Sequence, residues 1–327
     1  MEPYPLTFEP ILKEKVWGGQ SLANFGKQIP NDKPIGESWE LADLPDEVGG
    51  GISIIANGLL AGTSLQDAIQ ENPHFMGKTQ CINGCFPLLM KYLDATDNLS
   101  VQVHPDDAYV QTHPEAHLKS EAWIILDAAE GSCIYVGLTS GTTETQLRAA
   151  ISSDTVPDYI RSIEVHRGEC YYLPSGTCHA LGAGVVVAEV QTPSDTTFRV
   201  WDWGRTGRET HVDQAMACID FYAAPLTFPT PTSLESSDFV TTHFVDTPYF
   251  SIDCVEATHD TTLELHTDVS PQVLMVIEGH ASIEHDNSIN VPTGTTVLLP
   301  AGLSATLSMP KGTAVLQFDL PTQKTIA

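Results

Sequence analysis

Apolar residues fall at alternate positions or in short unbroken runs along most of this chain, with Gly and Pro between the runs. The clearest are "GGISIIANG" (50–58), "CFPLLMKYL" (85–93), "EAWIILDA" (121–128), "ECYYLPSG" (169–176), "GVVVAEVQT" (184–192) and "TFRVWDWG" (197–204). Period-two alternation and four- to eight-residue apolar runs are strand signals, and runs this short do not suit helices. Helical periodicity is confined to 64–71, 106–118, 143–152 and 210–219, the last with a Thr at its N-cap position. The pattern predicts a mainly β protein with a few peripheral helices.

The stretch "AAPLTFPTPTSLESS" (223–237) carries three prolines among Thr and Ser, which forbid regular ladder pairing and read as a linker. Beyond it "YFSIDCVEA", "QVLMVIEGHASI", "TTVLLPAG" and "TAVLQFDL" supply a second set of strands. The expected division is 1–235 as a larger domain carrying the helices and 236–327 as a smaller one. The two halves share a spacing. Gly168 to His179, "GECYYLPSGTCH", reads Gly, five residues, Pro, one residue, Gly, two residues, His; Gly294 to Ala305, "GTTVLLPAGLSA", repeats it with Ala at the end. The chain therefore reads as an internal duplication. The spacing resembles the second motif of cupins, in which the Pro-x-Gly turn aims the next His into a β-barrel. By that match the fold is a tandem cupin of two β-barrel or jelly-roll domains. His179 faces a metal and Ala305 cannot, so the C-terminal barrel is expected to be degenerate and metal-free.

In "LSVQVHP" (99–105) Gln102 and His104 lie two apart, so an extended strand projects both to one face. With Glu121 at the start of "EAWIILDA" and His179 after the Pro-Gly turn, the chain offers two imidazoles, one carboxylate and one amide oxygen, a donor set that suits zinc. Gln102 fits either a direct ligand or an orienting role, since an amide is a weak donor. Any one of these histidines alone reads as a core residue; the joint pattern argues for the metal. His113 and His117 mimic a helical metal pair, but Pro114 between them disrupts a helix and leaves a solvated surface. Lys91 and Arg199 stand on strand faces among apolar neighbours, where each needs a salt-bridge partner or an anionic ligand.

Composition narrows the partners. With 15 Lys+Arg against 42 Asp+Glu, the net charge of −27 repels a phosphate backbone or an anionic bilayer, so neither nucleic acid nor membrane is expected. No window reaches the length of a membrane span. Seven cysteines, an odd number without two-residue spacing, read as reduced thiols in a cytoplasm.

Four longer blocks carry a specific resemblance. "GESWELAD" (36–43), "FPLLMKYLDATDNLSVQVHPDD" (86–107), "KSEAWIILDA" (119–128) and "LPSGTCHALGAGVVVAEVQTPSDTTFRVWDWGR" (173–205) resemble the signature blocks of type I mannose-6-phosphate isomerases, in the short bacterial form. The resemblance implies a zinc-dependent interconversion of mannose 6-phosphate and fructose 6-phosphate, with one Zn2+ per chain. It implies metal residues His104, Glu121 and His179, with Gln102 as a fourth, and Arg199 as the catalytic arginine. Lys91, Lys119, Trp17 and Glu40 match pocket positions, expected to bind substrate. Proton transfer between C1 and C2 of a sugar passes through an enediol whose oxygen needs a cation; a hydroxide, His104, Lys119 or a glutamate would each serve as base. The alternatives are a sugar-binding bicupin without turnover, an isomerase of unphosphorylated mannose, and an iron oxygenase on the same barrel.

Overall fold

The structure, a computed structural model, describes residues 1–45 and 50–321. A six-stranded antiparallel sheet runs in the order Cys170–Leu173, Glu121–Ala128, Val185–Gln191, Leu89–Ala95, Ile35–Leu41, Ile11–Gly19. Packed on it is a five-stranded sheet in the order Ile160–Glu164, Cys133–Leu138, His179–Leu181, Val101–Val103, Phe198–Trp201. Leu93, Trp123, Ile125 and Val187 of the first sheet meet Ile134, Val136 and Leu181 of the second in a common core.

The C-terminal part repeats this construction. Strands Gln272–Glu278, Thr296–Leu299, Ala314–Asp319 and Ser251–Ala257 belong to a seven-stranded sheet, faced by a four-stranded one holding Thr261–His266, Ser304–Met309, His280–Glu284 and Ser288–Pro292. The two sandwiches join sheet on sheet. Met90, Tyr92, Ala122, Ile124 and Val190, on the outer face of the six-stranded sheet, pack with Ile252, Val273, Met275, Leu298 and Phe318. The strands at the middle of the six-stranded sheet are thus covered on both faces, which is why "LLMKYL" and "VVVAEV" read as nearly unbroken apolar runs. The N-terminal strand Leu6–Thr7 crosses over to pair with Thr296–Leu299 of the C-terminal sheet.

The helices fall where the periodicity puts them, with two shorter than expected. Leu65–Glu71 is capped by Ser64, and Glu144–Ser152 by a Thr143/Gln146 capping box. Asp107–Thr112 replaces the expected 106–118, because the residue before Pro114 is forced out of the helical region and the helix ends there. Val212–Cys218 starts after His211 and not after Thr210. The proline-rich stretch is not wholly without pairing: Thr232–Glu235, beyond its last proline, adds an edge strand to Phe239–Asp246.

The duplicated motif is duplicated in conformation. Gly176 and Gly302 have φ 81° and 82°, and Gly168 and Gly294 have φ 90° and 86°, the left-handed region that favours glycine. After each Pro-x-Gly turn a strand begins, with His179 in the first half and buried Ala305 in the second. Gly294 also admits the N-terminal segment, since a Cβ there would lie 1.8 Å from the Phe25 carbonyl oxygen, whereas a Cβ at Gly302 meets nothing within 4 Å. Gly302→Ala is expected to destabilise by about 1–2 kcal/mol from backbone strain alone. Gly294→Ala should cost clearly more, because the clash adds to the strain. Thermal unfolding of the two variants checks this, and equal midpoints would contradict it.

Candidate functional site

Register assembles the site. On the five-stranded sheet His179 lies opposite Gln102, and Gln102 opposite Arg199, one residue from each of three adjacent strands. On the facing sheet Trp123 lies opposite Glu189, and Glu189 opposite Lys91. The two rows enclose a cavity of about 280 Å³ that Gln102, Arg199, Trp123, Glu189 and Lys91 all line, together with Trp17, Lys119, Lys15, Glu37 and Arg208.

Behind the lining residues Gln102 and Lys119, His104, Glu121 and His179, all buried, bring one donor atom each to within 4.8 Å of one another. His104 Nε2 is 3.3 Å from Glu121 Oε2, and His179 Nε2 is 3.1 Å from Glu121 Oε1. The tautomers follow from the outer nitrogens. His104 Nδ1 donates to the Thr196 carbonyl at 3.0 Å and His179 Nδ1 to the Thr177 carbonyl at 2.8 Å, which turns both Nε2 lone pairs inward. His104 Nε2 and both Glu121 oxygens are buried without a well-formed hydrogen bond, Glu121 Oε2 having only the Lys119 ammonium beside it at 2.9 Å. Buried polar atoms are normally satisfied, so these three converging atoms suit a metal cation as their common partner. The Gln102 amide nitrogen is 3.3 Å from His179 Nε2, and a half-turn of the amide presents its oxygen instead.

The electrostatics agree. Burial alone would raise the Glu121 carboxyl, but Lys119 at 2.9 Å, His104 and His179 hold it well below the ordinary range. Burial, then the Lys119 charge, pushes His104 down to about 3, so both groups are deprotonated at neutral pH, as metal ligands must be. Lys91 is held the opposite way. Burial works against its charge, yet Glu189 at 3.1 Å and Glu37 raise its pKa, while the Gln191 side chain accepts a hydrogen bond from it at 2.7 Å.

Of the residues singled out from the sequence, the cavity gathers Trp17, Lys91, Gln102, Lys119 and Arg199 beside the His104–Glu121–His179 cluster. Glu40 is not among them. Alternation along Ile35–Leu41 turns Glu40 away from Glu37, and it meets Lys27 Nζ at 2.5 Å and Ser38 Oγ at 2.6 Å, with Lys27 reaching on to the Gly294 carbonyl at 2.7 Å. Glu40 thus sits at the seam between the sandwiches. Arg205 binds Asp97 and Asp202 and is not among the lining residues, whereas Arg208 is. Glu189 was legible as the single acid in "VVVAEV"; Lys15, Glu37 and Arg208 reach the cavity through register and loop path, for which the local pattern holds no signal.

Sheet sandwiches of this topology with a two-imidazole, one-carboxylate cluster define a mainly β, cupin-type fold with a metal-capable centre. Residues 6–136 match the family model described as phosphomannose isomerase type I, catalytic domain. The chain is 34% identical over 311 residues to mannose-6-phosphate isomerase ManA of Bacillus subtilis, spanning 93% of this chain and 95% of that one. It is 35% identical over 254 residues to the mannose-6-phosphate isomerase of Streptococcus mutans, spanning 76% and 77%. The crystal structure of the Bacillus subtilis mannose 6-phosphate isomerase superposes with a TM-score of 0.87 at 30% identity, covering 97% of this chain and 99% of that one. The chain belongs to the type I mannose-6-phosphate isomerase family.

Glu37 gives the site a measurable pH signature. Burial raises its carboxyl, but Lys91, Lys15 and the Trp39 indole outweigh it and hold the pKa at about 2. Since an unfolded glutamate titrates near about 4.3, the stabilisation is fully present above that pH and is lost as pH falls toward about 2. Glu37→Gln should therefore lower the thermal midpoint at pH 7 and approach wild type below about pH 4. A gap that stays constant from neutral pH down to about 3 would contradict this assignment.

Proposed function

We propose that this chain interconverts mannose 6-phosphate and fructose 6-phosphate with one zinc ion held by His104, Glu121 and His179 and completed by Gln102. The carrying observation is the set of buried donor atoms on His104, Glu121 and His179 that lie against Gln102 and Lys119, two residues lining a cation-rich cavity. Two nitrogens, a carboxylate and an amide oxygen match zinc, which when bound supplies Lewis acidity at a sugar oxygen. The larger sandwich, 1–235, is the proposed catalytic cupin domain, and 236–327 a degenerate one in which Ala305 offers no donor. The chain's free cysteines fit a reducing compartment such as the cytoplasm, and its charge disfavours nucleic acid and membrane surfaces.

The residues divide the work by charge and depth. Lys91 and Lys119 lie at the buried floor, each against a glutamate, while Lys15 and Arg208 are partly exposed at the mouth. A phosphate dianion suits the mouth, where water and cations share it, and the reacting carbons then lie at the floor. Arg199 donates to the Glu209 carbonyl at 2.5 Å and keeps a buried Nε without a partner. With no carboxylate paired to it among the described residues, Arg199 has charge to offer the oxygen that turns negative as the C2 proton leaves. Lys91 holds its proton tightly between Glu189 and Glu37, so it binds and orients hydroxyls and does not carry the transferred proton.

A coupled assay on mannose 6-phosphate tests the reading directly. Arg199→Lys should lower kcat about 10- to 1,000-fold with metal still bound, because lysine keeps the charge but not the planar fork. An unchanged kcat would return Arg199 to a structural role. Mannose 6-phosphate should exceed free mannose in kcat/KM by on the order of 10³, with Arg208→Ala eroding that ratio, because binding energy at the remote phosphate orients the reacting carbons. Comparable values for the two sugars would mean a free-sugar isomerase. Sugar-phosphate binding without product would mean a binding protein.

A further inference from the structure

We infer that Trp123 is a positioning residue that ties the Glu189–Lys91 pair on the cavity floor to the His179 imidazole. The inference rests on the isomerase reading for its substrate, but its geometry stands alone. Trp123 is buried in the strand that begins with Glu121, two residues earlier, and therefore faces the same side of the sheet. Its indole Nε1 donates to Glu189 Oε2 at 2.8 Å, and Glu189 lies directly opposite it in the adjacent strand. The other Glu189 oxygen, Oε1, has no hydrogen-bond partner and stands 3.1 Å from Lys91 Nζ. The indole ring packs against the His179 imidazole with centroids 5.4 Å apart at 78°. One side chain thus touches both halves of the site, and it lines the cavity as well.

The hydrogen bond decides which way Glu189 points. A carboxylate tethered through one oxygen presents the other to Lys91; released, it can rotate and take both oxygens to the ammonium, which would withdraw the lysine from a sugar hydroxyl. A second indole makes the parallel contact from the far side, since Trp39 Nε1 donates to Glu37 Oε2 at 2.7 Å and the Lys91 ammonium lies 5.1 Å from the Trp39 ring centre. Lys91 is therefore flanked by two glutamates, each held by an indole N–H. Trp123 differs from Trp39 in that only its ring also abuts the imidazole of the proposed metal site.

Trp123→Phe keeps a ring against His179 and deletes only the N–H. It should lower kcat/KM for mannose 6-phosphate about 10-fold, the size expected for losing one charge-assisted hydrogen bond, and weaken calorimetric binding of the sugar phosphate by a similar factor. Zinc content and thermal midpoint should stay close to wild type. Glu189→Gln should show a comparable loss, and the double variant should lose little more, because the indole acts through that carboxylate. Losses that add, a wild-type binding constant in Trp123→Phe, or a loss accompanied by a falling thermal midpoint would each overturn the inference. Binding energies read without turnover keep this outcome separate from failure of the isomerase reading. If Trp123→Phe does not fold, the wild-type protein still answers: among its five indole N–H resonances, the one displaced by Glu189→Gln must also move on adding mannose 6-phosphate. A resonance indifferent to the sugar phosphate would overturn the inference.

Discussion

The architecture of the N-terminal sandwich turns on a buried carboxylate, Glu121, whose nearest protein cation is a single lysine. Glu121 is fully buried, and neither of its oxygens accepts a well-formed hydrogen bond. An ionised carboxylate in such a place is strongly unfavourable unless cations face it. Lys119 supplies one, and the inward lone pairs of His104 and His179 leave room for another. Much of the surrounding chain serves to hold this geometry. The carbonyls of Thr196 and Thr177 set the two tautomers, the Ser175 backbone N–H donates to Ser120 Oγ, and the Ser120 backbone N–H donates to Thr192 Oγ1. The loops on either side of Glu121 are thereby laced to the strand that carries it.

The same constraint explains how so acidic a protein can attract an anion. A net charge of −27 gives no long-range pull, so positive potential has to be local and protected from water. The inner lysines are each matched by a glutamate, which keeps them charged despite burial, while Arg199 has no such match among the described residues. The floor is therefore close to neutral in sum but finely divided, with donors fixed in place, and Arg199 is the cation there without a paired carboxylate among the described residues. Such fixed donors need no reorganisation as charge develops on a substrate oxygen.

Much of this was legible in the sequence, for identifiable reasons. Strand alternation put Gln102 and His104 on one face, and the Pro-x-Gly spacing aimed His179, because both depend on period and turn chemistry within a dozen residues. The duplication was legible because Gly176 and Gly302 need the same left-handed backbone. Glu40 shows the limit of resemblance: it was expected in the pocket by that match alone, yet strand alternation turns it away from Glu37 to the seam where Lys27 and Gly294 meet, and its partner lies in a segment no local pattern connects to it. Arg208 was equally out of reach, since its place in the cavity follows from the path of the loop after Trp201. The shortening of the helix at Asp107–Thr112 was implicit in Pro114, whose effect reaches one residue back.

In the proposed reading, His104, Glu121 and His179 hold the metal on which turnover of a sugar phosphate depends. Metal-stripped protein titrated with zinc, with the metal bound and the turnover of mannose 6-phosphate followed together, tests it most directly. Activity should rise from near zero and saturate at about one equivalent, and the His179→Ala protein should neither bind the ion tightly nor respond to it, because losing one of the four proposed donors opens the site. Full activity in the stripped protein, or saturation only at two equivalents, would contradict the account.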